Sequence, residues 1–224
     1  MKQLLLIPGL MCTKKLWSKL NLTNYEAINI PQKDSIDEMI EVLHKEFNSY
    51  KEPINLVGFS LGGYISLKYM IKYPNRVNKA LIISSGFDSL NENEINKRKK
   101  MLETLKRNNV KSLSFMAISQ LLEDKTNEKN LDIINEMFTE LGMEVYQQQL
   151  YATMKREPLF EELEEANTPT LFLSATNDAL VNLEPIKKLC LKKENFQLKT
   201  LNTDSHMLPL EYEQFLYNEI QKFF

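Results

Sequence analysis

The stretch Ile54-Asn55-Leu56-Val57-Gly58-Phe59-Ser60-Leu61-Gly62-Gly63 decides how the rest of the chain is read. Ile54 to Val57 has the short, apolar, β-branched look of a buried strand, and Tyr64 to Tyr73 reads as a helix that Pro74 stops. One serine therefore sits between glycines where a strand switches to a helix. For its hydroxyl to point out over the sheet edge, the serine must occupy a strained turn at positive φ. A Cβ at Gly58 or Gly62 would then collide with the chain closing around it, and Gly63 lets the helix lie close on the strand. The stretch reads as a nucleophile elbow, a pattern whose weight depends on what else reaches the same sheet edge.

Working outward, Leu4 to Ile7 is a short buried-type strand ended by Pro8-Gly9, and Thr13 to Leu20 starts a helix with Trp17 packed inward. Tyr25 to Ile30 reads as a strand stopped by Pro31. Asp34 or Ser35 then caps a helix whose apolar positions are Ile36, Met39, Ile40, Leu43 and Phe47. Further strands follow at Lys79 to Ser84, Thr170 to Ser174 and Phe196 to Leu201, with helices near 183–192 and 209–223. Six strands with intervening helices predict an α/β fold with a mainly parallel, doubly wound sheet, whose ligands bind at the carboxyl ends of the strands. From Asn91 to Arg156 the pattern is helical only. The expected organisation is a core formed by 1–90 and 157–224 with a helical cap inserted at 91–156.

The 224 residues are 43% hydrophobic and 26% charged, enough apolar material for one globular α/β domain with a sizeable core. A net charge of -2 argues against a polyanion, so no nucleic-acid partner is expected. The basic run Lys97-Arg98-Lys99-Lys100, flanked by Glu92, Glu94 and Glu103, reads as a solvated helix face. Two cysteines, Cys12 and Cys190, are too few for a disulfide framework and lack metal-ligand spacing. The apolar run after Lys2 is broken by Pro8-Gly9, and Met11 stands where a signal peptide needs a small residue. With no run of membrane-spanning length either, a cytoplasmic protein without a membrane partner is expected.

A serine hydroxyl is a weak nucleophile, so Ser60 needs a base within reach and a third group to orient that base. The chain has two histidines. His44 lies late in a helix that runs away from the carboxyl edge and reads as a boundary residue. His206, in Asn202-Thr203-Asp204-Ser205-His206-Met207 after the last strand, lies at the edge where the elbow opens. Asp178 follows the fifth strand and gives the order Ser, Asp, His; Asp88, after the fourth strand, and Asp204, two residues from His206, are its rivals. Donors for a developing oxyanion are expected from the backbone N–H groups of Leu61 and Leu10, with Met11 as the reserve for the second.

These residues resemble the α/β-hydrolase superfamily over essentially the whole chain. The resemblance is carried by Gly58 to Gly63, by Asp178 with Val181, and by His206 followed by Pro209 and Glu211. The opening Leu6 to Cys12 with Leu16-Trp17 looks like the oxyanion loop of its small, cap-bearing members. Two departures stand out: Pro8-Gly9 where many relatives have His-Gly, and Ser205 where most have glycine before the histidine. The first raises the question of what pins the oxyanion loop, the second what shapes the histidine loop. The resemblance implies a sheet without the leading antiparallel hairpin. It also implies a carboxylesterase-like serine hydrolase that cleaves an ester or related acyl bond of a small, partly apolar molecule, with no metal or organic cofactor. A carbon-carbon bond hydrolase or lyase is the alternative within the same fold, in which Lys155, Arg156 or Arg107 of the cap would bind an anion. A non-catalytic ligand-binding relative is the third reading. Tyr146, Gln147, Gln148, Gln149 and Tyr151 are candidates for the pocket wall, although helical packing explains them equally well.

Overall fold

The computed structural model describes residues 2–108 and 113–224. Its centre is a single sheet of six strands: β1 (Leu4–Ile7), β2 (Tyr25–Ala27), β3 (Ile54–Phe59), β4 (Val77–Ile83), β5 (Thr170–Ala175) and β6 (Phe196–Leu201). Every neighbouring pair is parallel, and the order is β2-β1-β3-β4-β5-β6. The chain winds outward from β1 in one direction and from β3 in the other, so the strand order reverses between them. Crevices in open parallel sheets form at that reversal, beyond the carboxyl ends of the two strands. Here those ends are Pro8-Gly9 and Ser60.

Side-chain alternation divides the strand residues between two cores. Leu5, Ile7, Ile54, Leu56, Ala80, Ile82 and Phe172 pack on one face with helices α1 (Ile36–Phe47), α2 (Leu61–Lys72) and, later in the chain, the helix Leu183–Lys192. Leu6, Val57, Phe59, Leu81, Ile83, Leu171 and Leu173 pack on the other face with Trp17 and the C-terminal helices. Both faces are covered, which is why the strands read as near-continuous apolar runs instead of alternating ones.

Between β4 and β5 lie α3 (Glu92–Asn108), α4 (Phe115–Ser119), α5 (Glu128–Thr153) and α6 (Phe160–Glu165). Within 91–156 the described residues form α3, α4 and α5 joined by turns, with no strand among them; residues 109–112 lie outside the described residues. Gly142, at φ 78°, breaks α5 into two segments, a conformation that an L side chain adopts only with strain. A third, small core joins Leu105 of α3 with Phe138, Val145, Tyr146 and Leu150 of α5, and Met11 of the loop after β1 is part of it. The inserted helices therefore rest on the loop that leaves the first strand. The chain continues with α7 (Leu183–Lys192), α8 (Leu208–Glu211) and α9 (Glu213–Phe223).

Four expected elements come out differently. The helix expected at Thr13 to Leu20 is a 3₁₀ turn, Lys14–Trp17, capped by the Thr13 hydroxyl, although Trp17 is fully buried. The strand expected over Tyr25 to Ile30 ends at Ala27, because its partner β1 has only four residues before Pro8-Gly9 turns the chain away. The helix after Ser60 begins at Leu61 rather than Tyr64. The C-terminal helix is interrupted at Tyr212, whose backbone (φ -131°, ψ 40°) is not helical.

Candidate active site

Ser60 joins β3 to α2 at φ 50° and ψ -115°, a region that non-glycine residues enter only at a cost of about 1–3 kcal/mol. Backbone bonds hold it there. Its N–H donates to the Ile83 carbonyl at 2.9 Å, and its own carbonyl accepts the N–H groups of Gly63 and Tyr64 at 2.9 and 3.1 Å. The flanking glycines make the closure possible. A Cβ on Gly58 would stand 2.4 Å from the Gly62 carbonyl oxygen, and one on Gly62 would stand 2.3 Å from the carbonyl oxygens of both Ile7 and Pro8. The loop after β1 is thereby pressed against the first turn of α2.

His206 and Asp178 reach Ser60 from the loops after β6 and β5. The Ser60 hydroxyl lies 3.1 Å from His206 Nε2, and His206 Nδ1 lies 2.7 Å from Asp178 Oδ2. The tautomer these bonds require has Nδ1–H donating to Asp178 and Nε2 accepting from Ser60. The other Asp178 oxygen, Oδ1, accepts the Leu180 N–H at 2.9 Å, which fixes the carboxylate plane. Asp178 and His206 are both buried, 6% and 7% exposed, so little solvent screens this pair.

The histidine loop is held by contacts that include the inserted segment. The N–H groups of His206 and Met207 both donate to the Leu121 carbonyl, at 3.0 and 3.2 Å. Glu211 accepts the Ser205 hydroxyl on one side and the backbone N–H groups of Glu123 and Asp124 on the other, each of the latter at 3.0 Å. Ser205, where most relatives have glycine, thus serves as a donor that ties the loop to α8.

The two amides expected to face an oxyanion have no acceptor among the described residues. Leu61 N–H is in the first turn of α2, where no intrahelical acceptor exists. Leu10 N–H has no protein acceptor among the described residues. Gly9 brings the Leu10 turn against the serine, since a Cβ on Gly9 would lie 3.2 Å from Ser60 Cβ. Met11 N–H, the reserve donor, is occupied: it donates to Gln149 Oε1 of α5 at 2.8 Å. Met11 is itself left-handed at φ 55° and buried, so the bond from α5 holds a strained residue in place.

The remaining candidates fall elsewhere. Asp88 lies 3.5 Å from the Asn182 amide, Asp204 is exposed, and His44 stacks on Tyr73 with ring centroids 3.6 Å apart. Of the five residues of α5 named as possible pocket wall, Gln149 touches the loop after β1 and Tyr146 packs in the small core, while Gln148 binds Asp34 at the surface. Lys155 sits over the exposed Tyr151 ring and Arg107 is exposed. The inward use of Gln149 was legible only as a polar residue on a buried stripe with Tyr146, Leu150 and Thr153. Arg98, expected on a solvated face, is half-buried, because it shares the inward stripe of α3 with Leu102 and Leu105.

A surface cavity of about 790 Å³ lies at the opposite edge of the sheet, lined by Pro53, Pro74 and Pro169 among others, and contains no serine, histidine or cysteine. Among the described residues, no three His, Cys, Asp or Glu side chains are placed to hold a metal ion, and no helix is long and apolar enough to cross a membrane.

Comparison with solved structures finds the same fold across the whole chain. A lipase-esterase related protein from Clostridium acetobutylicum superposes with a TM-score of 0.80 at 20% identity, covering 100% of this chain and 94% of that one. An esterase from Thermogutta terrifontis gives 0.80 at 17%, covering 99% and 89%. The enol-lactonase from Burkholderia xenovorans gives 0.81 at 14%, covering 99% and 90%. Two Saccharomyces cerevisiae proteins, Protein ECM18 and the 1-acylglycerol-3-phosphate O-acyltransferase ICT1, are each 58% identical over 31 residues. That stretch is 14% of this chain and only 7% and 8% of theirs, so the chain spans a small fraction of the curated relatives it matches. A family model described as serine aminopeptidase, S33, matches residues 32–213, which include β3 to β6 and the serine, aspartate and histidine loops. Because that match covers most of the sequence, and the hydrolases compared above share the fold, the chain belongs to the serine aminopeptidase S33 family of α/β hydrolases.

Proposed function

We propose that the protein is a serine hydrolase that cleaves an ester or related acyl bond of a small, partly apolar substrate. The observation that carries this reading is the continuous hydrogen-bonded chain from Ser60 Oγ through His206 to Asp178, at the point where the strand order reverses. In this mechanism Ser60 Oγ attacks the substrate carbonyl carbon while His206 Nε2 takes the hydroxyl proton. Asp178, bonded to Nδ1–H, holds the tautomer and stabilises the imidazolium that forms. The carbonyl oxygen becomes an oxyanion, accepted by the N–H groups of Leu61 and Leu10. His206 then gives its proton to the leaving oxygen, which departs as the alcohol. Water, deprotonated by the same Nε2, attacks the acyl-serine and releases the acid.

Gln149 has a place in this scheme as a positioning residue. It touches no reacting atom, but it holds Met11, and the Leu10 donor is the residue just before it in the turn. In relatives with His-Gly the histidine side chain is available at the position that Pro8 fills here; in this chain an amide from the inserted helix supplies the tether. The helices between β4 and β5 act in this reading as a cap that also braces the catalytic loops, through Gln149 on one side and Leu121 on the other.

A panel of p-nitrophenyl esters and thioesters graded by acyl length, run on wild type beside Ser60→Ala, tests the proposal. Turnover of at least one short-chain member, reduced to background by Ser60→Ala, is expected. Equal turnover by both proteins sinks it.

A further inference from the structure

The mechanism leaves without a role a pair of half-buried arginines in the inserted segment. Arg98 of α3 and Arg156, three residues beyond the end of α5, are both half-buried, and neither is in an ion pair with any described carboxylate. Arg98 Nη1 donates to the buried Thr153 hydroxyl. The Arg156 guanidinium lies over the Tyr64 ring, 5.3 Å from its centroid, and its buried Nε has no hydrogen-bond partner among the described residues. The acids nearest to them, Glu94 and Asp88, offset part of the burial cost by charge but form no ion pair with either guanidinium and have other hydrogen-bond partners. Glu94 accepts the Asn91 N–H at 3.0 Å and Asp88 faces the Asn182 amide. Both guanidinium groups sit at the end of α5, Arg98 on the Thr153 hydroxyl and Arg156 three residues farther on, and burial lowers the pKa of both, with the charge of Arg156 depressing Arg98 further. Guanidinium groups are rarely gathered in partial burial without an anion to receive, since desolvation and mutual repulsion both oppose it.

Their position ties them to the site. Tyr64 follows Ser60 by one turn of α2 and donates its N–H to the Ser60 carbonyl. Thr153 follows Gln149 by one turn of α5, and Gln149 holds the oxyanion loop. The stretch of α5 from Gln149 to its end, continued to Arg156, therefore runs from the Leu10 turn to the first turn after the serine, with both arginines at the far end.

We propose that Arg98 and Arg156 form an anion subsite that receives a carboxylate or phosphate group carried by the substrate, so that the preferred substrate is an acyl ester with a second, negatively charged end. The assignment of this anion to a substrate rests on the acyl-transfer reading of Ser60. The bidentate fork of arginine suits either planar carboxylate or phosphate oxygens.

Two measurements separate the two readings. In the first, glutarate and inorganic phosphate are titrated calorimetrically into Ser60→Ala protein, alone and combined with Arg98→Gln or Arg156→Gln. At least one anion is expected to bind, with Kd weakened about ten- to hundredfold by either arginine substitution, as for a lost charge-assisted hydrogen bond. The anion that binds names the group. Failure of both anions to bind Ser60→Ala, or binding indifferent to both substitutions, overturns the subsite. In the second, mono-p-nitrophenyl glutarate is compared with p-nitrophenyl butyrate. Wild type is expected to favour the half-ester in kcat/KM, through KM, and Arg156→Gln to erase that preference. Anion binding that depends on the arginines with no turnover of either ester would reject the acyl-transfer reading alone. Butyrate turnover without arginine-dependent binding would reject the subsite alone. If Arg156→Gln does not fold by far-UV circular dichroism, Arg156→Lys, which keeps the charge and loses the fork, takes its place.

Discussion

Replacing Gln149 by methionine keeps the side chain's length and nearly its volume while removing the oxygen that accepts the Met11 N–H at 2.8 Å. Gln149 is 2% exposed and Met11 5%, so water cannot readily replace the lost acceptor. A buried, unsatisfied N–H costs about 1–3 kcal/mol. The left-handed backbone of Met11, about 1–2 kcal/mol above a right-handed one, loses the bond that opposes its relaxation. The turn then shifts and carries the Leu10 amide with it. Complete loss of an oxyanion donor costs about 2.7–4 kcal/mol, or 10²–10³ in kcat, and sets the ceiling. Displacement of one donor with Leu61 intact should fall below that, at about ten- to hundredfold in kcat, equivalent to about 1.4–2.7 kcal/mol. KM for p-nitrophenyl butyrate should move little, because the ground-state carbonyl depends less on the donor than the oxyanion does. Steady-state kinetics on Gln149→Met, with the melting temperature recorded beside them, give the answer. A kcat within twofold of wild type, or a loss expressed only in KM, refutes the tether argument even if the protein is less stable.

Three further outcomes follow from the same geometry. Asp178→Asn should leave the fold intact by circular dichroism and lower kcat by about 10³–10⁴, since an amide cannot hold the required tautomer or support the imidazolium; a loss under tenfold would move the orienting role elsewhere. Gly62→Ala places a methyl 2.3 Å from two backbone carbonyl oxygens that no rotamer change can move, and should destabilise by about 3 kcal/mol in urea unfolding, whereas Gly86→Ala, with open space around it, should fall within about 0.5 kcal/mol. Burial pushes the Cys12 thiol from 9.0 up to about 12, only partly offset by its hydrogen bond with Gly9. Above pH 9 the unfolded chain releases this proton and the folded one keeps it, so stability falls as pH rises, by about 1.4 kcal/mol per unit until the folded pKa is reached. The unfolding free energy of Cys12→Ala, from urea titrations at each pH, should therefore fall less steeply with pH than that of wild type between pH 9 and 11; identical pH slopes would mean that the thiol is not desolvated.

The sheet and the three catalytic candidates were legible because each is written locally. Buried parallel strands show as apolar runs such as Leu4 to Ile7 and Thr170 to Ser174. With only two histidines, and one of them on a helix leading away from the strand ends, His206 had little competition. Element ends were less legible where a partner decides them: β2 stops at Ala27 because β1 stops, which nothing within Tyr25 to Ile30 records. The inserted helices were the hardest part. Their periodicity marks which positions face inward but not what they meet. Gln149 lies on a buried stripe like any core residue, and only the approach of Met11 gives its amide a purpose. Arg98 was lost among Lys97, Lys99 and Lys100, although its spacing from Leu102 and Leu105 places it on the inward face. Ser205 and Glu211, six residues apart, meet because α8 turns back on the histidine loop.

The proposed mechanism requires the Ser60 hydroxyl, activated through His206, to be a nucleophile. Incubation with a fluorophosphonate, followed by mass spectrometry of the peptide carrying Ser60, measures this without knowledge of the substrate. Stoichiometric modification of Ser60 in the wild type, abolished in Ser60→Ala and slowed at least about a hundredfold in His206→Ala, is the predicted result. An unmodified Ser60, or labelling that proceeds equally without His206, would contradict it.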